Sequence, residues 1–167
     1  MITNNSKNAR KLARKIIARN LILNVDLDGV LFCAKHRQLV KQDGSLCLEN
    51  YRLNSTAEKV ALDKSLALLE TIKILNSEGV KYNVITARVI CPHTQKLLND
   101  RQVFPTRIMA RMGEGDNRKD HDLKSMHLSK FTRATRKRMI LVDDNTNNIK
   151  AARALGLHTL QVDYDGH

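Results

Sequence analysis

The sequence predicts an α/β fold: a Rossmann-like parallel sheet of about five strands with helices on both faces. Three observations carry that reading. Short apolar runs rich in branched residues alternate with stretches of helical spacing, the order a right-handed parallel α/β sheet requires. Two of those runs, 21–32 and 138–142, lead into paired carboxylates, Asp26 with Asp28 and Asp143 with Asp144, and ligands of open α/β sheets sit at the carboxyl ends of strands. The length of 167 residues suits one core with a covered sheet, and no repeat, linker or low-complexity tract divides it.

The elements follow in order. Residues 8–19 form an amphipathic helix that places Leu12, Ala13, Ile16 and Ile17 on one side and bases on the other; residues 1–20 are read as a basic N-terminal helix preceding a domain over 21–167. The run from Leu21 is a buried strand. Residues 32–55 are polar and irregular with a turn at 42–45, a flap over the strand ends. Leu62, Leu66, Leu69 and Ile72 recur at helical spacing, so 56–77 is one helix, capped by Ser55 or Thr56 and stopped by Gly79. A strand over 80–85 ends in Thr86-Ala87-Arg88. Pro92 opens a helix to Leu98. A short strand at 107–110 leads to a polar loop at 113–117 and a helix from about Arg118. The strand 139–142, a helix over 147–155 closed by Gly156, and a strand over 158–162 complete the chain.

The carboxylates set the chemistry. Burying one is costly, and two at ~4 Å repel by about 4 kcal/mol at an effective dielectric near 20. Four carboxylates converging at neighbouring strand ends therefore want a cation, and hard oxygen donors suit Mg2+. The net charge of +12 is local. Residues 1–20 (Lys7, Arg10, Lys11, Arg14, Lys15, Arg19) and 129–138 (Lys130, Arg133, Arg136, Lys137, Arg138) hold no acid and supply nearly all of it. That pattern fits a polyanion-binding surface or, equally, two solvated helix faces. Three cysteines without a C-x-x-C pair exclude a disulfide framework or zinc site and point to a reducing compartment. No apolar run approaches the roughly 20 residues of a membrane span; a transit peptide at the basic N-terminus is the minority reading.

With those residues in place, the order Asp26-Leu27-Asp28-Gly29-Val30, Thr86, Lys124 and Asp143-Asp144 resembles the haloacid dehalogenase (HAD) superfamily of phosphotransferases over about 21–162. The stretch from Gly115 to Lys124, with Thr86-Ala87-Arg88 and Arg37 nine residues after Asp28, is most similar to the 3'-phosphatase domain of phage polynucleotide kinase. The resemblance implies Asp26 as nucleophile, Asp28 as general acid and base, and Lys124 as a catalytic cation beside the phosphoryl group. It implies Thr86, Ala87, Arg88 and Arg37 at the substrate phosphate, and Asp120 orienting a basic side chain. Asp26, Asp28, Asp143 and Asp144 would hold Mg2+. Arg37 also reads as a solvated flap residue, and Asp120 as a first-turn acid. His121 and His127 share no helix face and suit no metal.

The spaces after the first and second motifs leave no room for a cap domain, so the expected fold is a capless HAD fold. An open site favours a large substrate, and the basic segments favour a nucleic acid over a protein. The implied activity is removal of terminal 3'-phosphate, or 2',3'-cyclic phosphate, from DNA or RNA ends. A phosphatase of nucleotides or other small esters and a non-catalytic nucleic-acid-binding protein are the alternatives. Aromatics are few, so base stacking contributes little. No Gly-x-x-x-x-Gly-Lys-Ser/Thr loop occurs, which assigns any kinase or ligase step to a separate partner. The expected location is cytoplasmic, with no membrane contact.

Overall fold

Leu23, Val25, Ile140 and Val142 are at most 2% exposed, and the strands that carry them lie at the centre of a parallel sheet, as near-continuous apolar runs demand. The computed structural model describes residues 1–42, 46–113 and 115–163. Most of the turn expected at 42–45, one residue of the 113–117 loop and Tyr164 lie outside that set. The strands are β1 (Ile2–Thr3), β2 (Ile22–Val25), β3 (Phe32–Cys33), β4 (Lys64–Ser65), β5 (Tyr82–Val89), β6 (Arg107–Arg111), β7 (Met139–Asp143) and β8 (His158–Asp163). Six of them form one parallel sheet in the order β1-β8-β7-β2-β5-β6, while β3 and β4 form a small antiparallel pair. The sixth strand, β1, is two residues at the edge beside Val162 and Asp163, too short for a period to register in sequence.

The helix α1 (Ser6–Ala18) starts at Asn5, whose side chain accepts the Asn8 N–H, one of the donors a helix start leaves unpaired. Its buried face is Ala9, Leu12, Ala13 and Ile16, while Ile17, expected on that side, is 39% exposed. That face joins the same apolar cluster as Leu23, Val25 and the helix α4 (Leu69–Ser77), so residues 1–20 share the main core. Each such leucine or isoleucine contributes about 1.5–3 kcal/mol by leaving water. The opposite sheet face is covered by α6 (Asp120–Ser129) and α8 (Thr146–Ala154), with Leu128, Ala152, Met139 and Leu141 in a second cluster.

Two expected elements differ. The flap is ordered into a 3-10 turn at Lys35–Arg37 and the helix α2 (Leu48–Leu53). The single helix expected over 56–77 is two, α3 (Ala57–Ala61) and α4, with β4 between them. Leu62 is 64% exposed there and Asp63 fully buried; the regular leucines imitate one helix across a break that exists to bury a carboxylate. The remaining helices are α5 (Pro92–Asp100) and α7 (Arg133–Arg136). Because α7 precedes β7 directly, residues 129–138 lie at the amino ends of the strands, the end opposite Asp143.

Candidate active site

Register assembles the site. Val25 of β2 sits opposite Val142 of β7, and the Asp26 N–H donates to the Val142 carbonyl at 3.1 Å, so Asp26 and Asp143 leave adjacent strands at the same level. Carboxylate oxygens of Asp26, Asp143 and Asp144 lie within 4.8 Å of one another. Gly29, at φ 73°, turns the chain out of the strand; a Cβ there would overlap the Asp144 carboxylate. Asp28 is the exception to the expected convergence of four carboxylates. β2 has already ended at Val25, so the two-residue strand repeat that would put Asp28 beside Asp26 no longer applies, and its carboxylate faces away.

Lys124, 1% exposed, is the counter-charge. Its Nζ lies 2.9 Å from Asp26 Oδ2, 2.7 Å from Asp143 Oδ2 and 3.2 Å from Asp120 Oδ2, one turn earlier on α6. The other Asp26 oxygen, Oδ1, accepts the Leu27 N–H at 2.7 Å, so both oxygens are oriented. Burial pushes the Asp26 carboxyl well up, with Lys124 opposing and Asp143, Asp120 and Asp144 adding to the rise. Asn148, which no motif singled out, donates to Asp120 Oδ2 at 2.7 Å and to Asp143 Oδ1 at 2.9 Å. Asp120 therefore belongs to the Lys124 cluster and is more than a first-turn acid.

A second, arginine-rich cluster holds Asp28. Arg88 grips it through Nε to Oδ2 at 2.9 Å and Nη2 to Oδ1 at 2.5 Å, and the Tyr51 hydroxyl donates to Oδ2 at 2.9 Å. Burial works against the charge, yet Arg88, then Arg37 and the Tyr51 hydrogen bond, hold the Asp28 carboxyl below its ordinary value. Arg37 is 3% exposed, which removes its reading as a solvated flap residue. It pairs bidentately with Asp63 at 2.9 Å and donates to Ser55 and Tyr51. Asp63 also takes Arg88 Nη2 at 2.7 Å. Neither Asp63 nor Tyr51 was expected, since they lie 26 and 14 residues from Arg37 in sequence, Asp63 inside helical spacing and Tyr51 inside a stretch read as an irregular flap.

Thr86 falls within β5, whose pairing with β6 shifts register between Ile85 and Val89; its hydroxyl accepts the Arg88 N–H at 3.2 Å. The Ala87 carbonyl accepts from Arg111 Nε at 2.9 Å, and Arg111 also anchors the Asp116 and Arg118 carbonyls. A cavity of about 220 Å³ opens beside Arg88, lined also by Arg37, Tyr51, Arg52, His93 and Arg111. Buried atoms without partners among the described residues fall on both sides of the site. Asp120 Oδ1 and Asn148 Oδ1 are acceptors; Arg88 Nη1 is a donor. A cation on the carboxylate side and an anion on the arginine side match those polarities.

The Asp63 carboxylate joins two buried arginines, and removing one partner of a buried ionic cluster typically costs about 3–5 kcal/mol. Asp63→Ala is expected to lose about that much unfolding free energy in urea titrations. A midpoint equal to wild type would show that Arg37 and Arg88 do not depend on it.

The family described as the polynucleotide kinase PNKP phosphatase domain matches residues 20–167. Among solved structures, a chain of the Pnkp1/Rnl/Hen1 complex superposes with a TM-score of 0.65 at 20% identity, covering 86% of this chain and 46% of that one. A chain of the Pnkp1/Rnl/Hen1 RNA repair complex gives 0.59 at 21% identity, covering 87% and 43%. CbbY from Rhodobacter sphaeroides in complex with phosphate gives 0.56 at 14%, covering 85% of each chain. The chain thus spans less than half the length of the first two. These likenesses show a common fold. No curated protein matches in sequence.

Proposed function

Because this chain belongs to the family of polynucleotide kinase PNKP phosphatase domains and is a phosphoric monoester hydrolase of the HAD superfamily, we propose that it is a Mg2+-dependent phosphatase acting on 3'-phosphate ends of DNA or RNA. The observation that carries the chemistry is Asp26, held at a strand end by the Leu27 N–H and Lys124 and level with Asp143. Asp26 Oδ2 bonds to phosphorus as the ester oxygen of the terminal sugar leaves, giving an aspartyl-phosphate. Asp28 gives a proton to the leaving oxygen and becomes a carboxylate, then takes a proton from the water that cleaves the aspartyl-phosphate, which restores the Asp28 acid and frees the Asp26 carboxylate. At rest Arg88 holds Asp28 ionised, with no proton to give. A phosphate dianion offers Arg88 a competing partner, and loosening that grip raises the proton affinity of Asp28.

Asp26, Asp143 and Asp144 would hold Mg2+, with the Asp28 region contributing through its backbone carbonyl. Bound there, Mg2+ neutralises the carboxylates and draws charge from the phosphoryl oxygens. Lys124 would stabilise developing negative charge, and Thr86 would bind a phosphoryl oxygen. A kinase or ligase partner and a reducing, cytoplasmic setting complete the reading. Among the described residues no helix is long and apolar enough to cross a membrane.

The substrate test is phosphate release from matched DNA and RNA oligonucleotides with 3'-phosphate, 5'-phosphate or 2',3'-cyclic ends, beside a mononucleotide. Preference for 3'-phosphate ends is expected. Equal turnover of the mononucleotide, indifferent to chain length, would replace this reading with a small-ester phosphatase.

Cation binding should depend on pH with a definite sign. Burial and Asp143 push the Asp144 carboxyl up to about 7, so below that pH a proton occupies the oxygen the cation needs, and binding must release it. Apparent Mg2+ affinity is expected to rise as pH climbs through 7 and then level off. Calorimetric titrations in two buffers of different ionisation enthalpy count the released proton; none released near pH 6.5 would remove Asp144 from the set.

A further inference from the structure

The excess charge of this chain converges on the end of the sheet that the catalytic carboxylates do not use. β2 and β7 are neighbours. The segment after α1 enters the first and the segment after α7 enters the second, so Arg19 and Arg138 meet at their amino ends. The Ile22 N–H donates to the Arg138 carbonyl at 2.8 Å, and Arg138 Nη2 reaches the Asn20 carbonyl at 3.4 Å. β8 lies on the far side of β7, and the last turn of α8 before it carries Arg153. Lys15, Arg19, Arg133, Lys137, Arg138 and Arg153 are all exposed. None of the six has a carboxylate partner among the described residues, although ion pairs occur elsewhere. The stretches 14–21, 130–138 and 150–157 contain no Asp or Glu. Arg136 braces the floor, donating to the Leu155 carbonyl at 2.9 Å and the Phe131 carbonyl at 2.5 Å.

We propose that this face binds the phosphodiester backbone of a nucleic acid at a place separate from the catalytic site. Unpaired like charges repel one another and are tolerated where a polyanion or its counterions cover them. An acidic protein partner is disfavoured because protein interfaces rely on buried apolar or aromatic anchors. Ile17 apart, the exposed large hydrophobics among the described residues (Met1, Leu39, Val40, Leu53, Leu62, Phe104, Met112) lie outside the three basic stretches 14–21, 130–138 and 150–157. Nothing on the face is suited to stack bases, since Phe131 is half-buried beneath Arg107. Binding is therefore to phosphates and indifferent to sequence.

The separation sets a length requirement. β7 runs its whole length, about 13 Å of strand rise, between this face and Asp143. A dinucleotide in the catalytic site cannot reach round to it, whereas a longer strand, or a second segment of the same molecule, can.

The probe is a fluorescent single strand of roughly twenty nucleotides ending in a 3'-hydroxyl, so that binding is read without turnover. The variant replaces Lys15, Arg19, Arg133, Lys137, Arg138 and Arg153 by glutamine. It is expected to bind at least about ten-fold more weakly at low salt, with the slope of log affinity against log salt falling by about 0.7 for each phosphate that is no longer neutralised. Hydrolysis of a small aryl phosphate should be unchanged, which also shows that the variant is folded. Charge reversal at Lys7, Arg10 and Lys11, farther along α1, serves as a matched control and should cost less. Unchanged affinity and slope would overturn the proposal, as would an equal loss in the control. Retained nucleic-acid binding with lost binding of poly-glutamate would overturn it in favour of an acidic protein. The proposal is independent of the end-specific substrate reading, because the probe carries no terminal phosphate and release of phosphate from a 3'-phosphorylated dinucleotide tests that reading alone.

Discussion

Asp26→Asn is expected to lower turnover by about four orders of magnitude or more, in line with the loss of other covalent nucleophiles, while leaving the fold intact. The substitution keeps the shape and the hydrogen bond from the Leu27 N–H but removes the carboxylate that would attack phosphorus in the proposed mechanism. It also removes one of three carboxylates around Lys124, so the protein should be no less stable and binding of a 3'-phosphorylated strand should persist. Single-turnover assays with radiolabelled 3'-phosphate check this directly. Acid-quenched wild-type enzyme should retain label on protein, and the variant should retain none. Activity above a tenth of wild type, or label trapped on another residue, would sink the covalent mechanism.

The parts of this site that were legible in sequence are those where a local pattern reports a local requirement. An apolar run ending in Asp26-Leu27-Asp28-Gly29 needs a buried strand and a turn with positive φ, and both are there. Asp143-Asp144 after a second apolar run reads the same way, and register between β2 and β7 then joins them. Lys124 was legible through the resemblance, and Asp120, one helical turn before it, is the acid that the resemblance sets beside a basic side chain.

What stayed hidden are demands made across long sequence separations. Asp63 sits in a leucine repeat that satisfies helical spacing, and only the arrival of Arg37 and Arg88 explains why the chain breaks there to bury it. Tyr51 and Asn148 carry no motif, because hydrogen bonds to Asp28 and Arg37 or to Asp120 and Asp143 fix residue type without fixing a spacing. Composition located the basic segments but not their direction; the order helix, then strand, puts 129–138 at the amino ends of the sheet, away from the carboxylates.

Lys124→Met should be the most damaging substitution for stability at neutral pH, with a deficit that a divalent cation repairs. In wild type, Nζ is the only cation among the described residues in contact with Asp26, Asp120 and Asp143. Removing it leaves those carboxylates and Asp144 to repel one another in a buried site, a loss of about 3–5 kcal/mol by analogy with other broken buried pairs. The pKa values of Asp26 and Asp144, already raised by burial and held down in part by Lys124, rise further. The folded variant then binds more protons than the unfolded chain, so its stability falls as pH rises through those values and the deficit narrows toward acid pH. Mg2+ held by Asp26, Asp143 and Asp144 would supply the missing charge, and binding confined to the folded form would add about 2.7 kcal/mol at a hundred times the dissociation constant. In wild type such an ion would compete with Lys124 for the carboxylates, so the thermal midpoint of the variant should climb more steeply with Mg2+ than that of wild type. Turnover should still fall by about 10²–10³ at saturating Mg2+, because the ion would not replace the ammonium that, in the proposed mechanism, faces the transferring phosphoryl group. Thermal unfolding with and without Mg2+ at two pH values measures all of this. An unchanged midpoint in metal-free buffer, or equal Mg2+ shifts in the two proteins, would mean that Lys124 is not the charge that holds the carboxylates together.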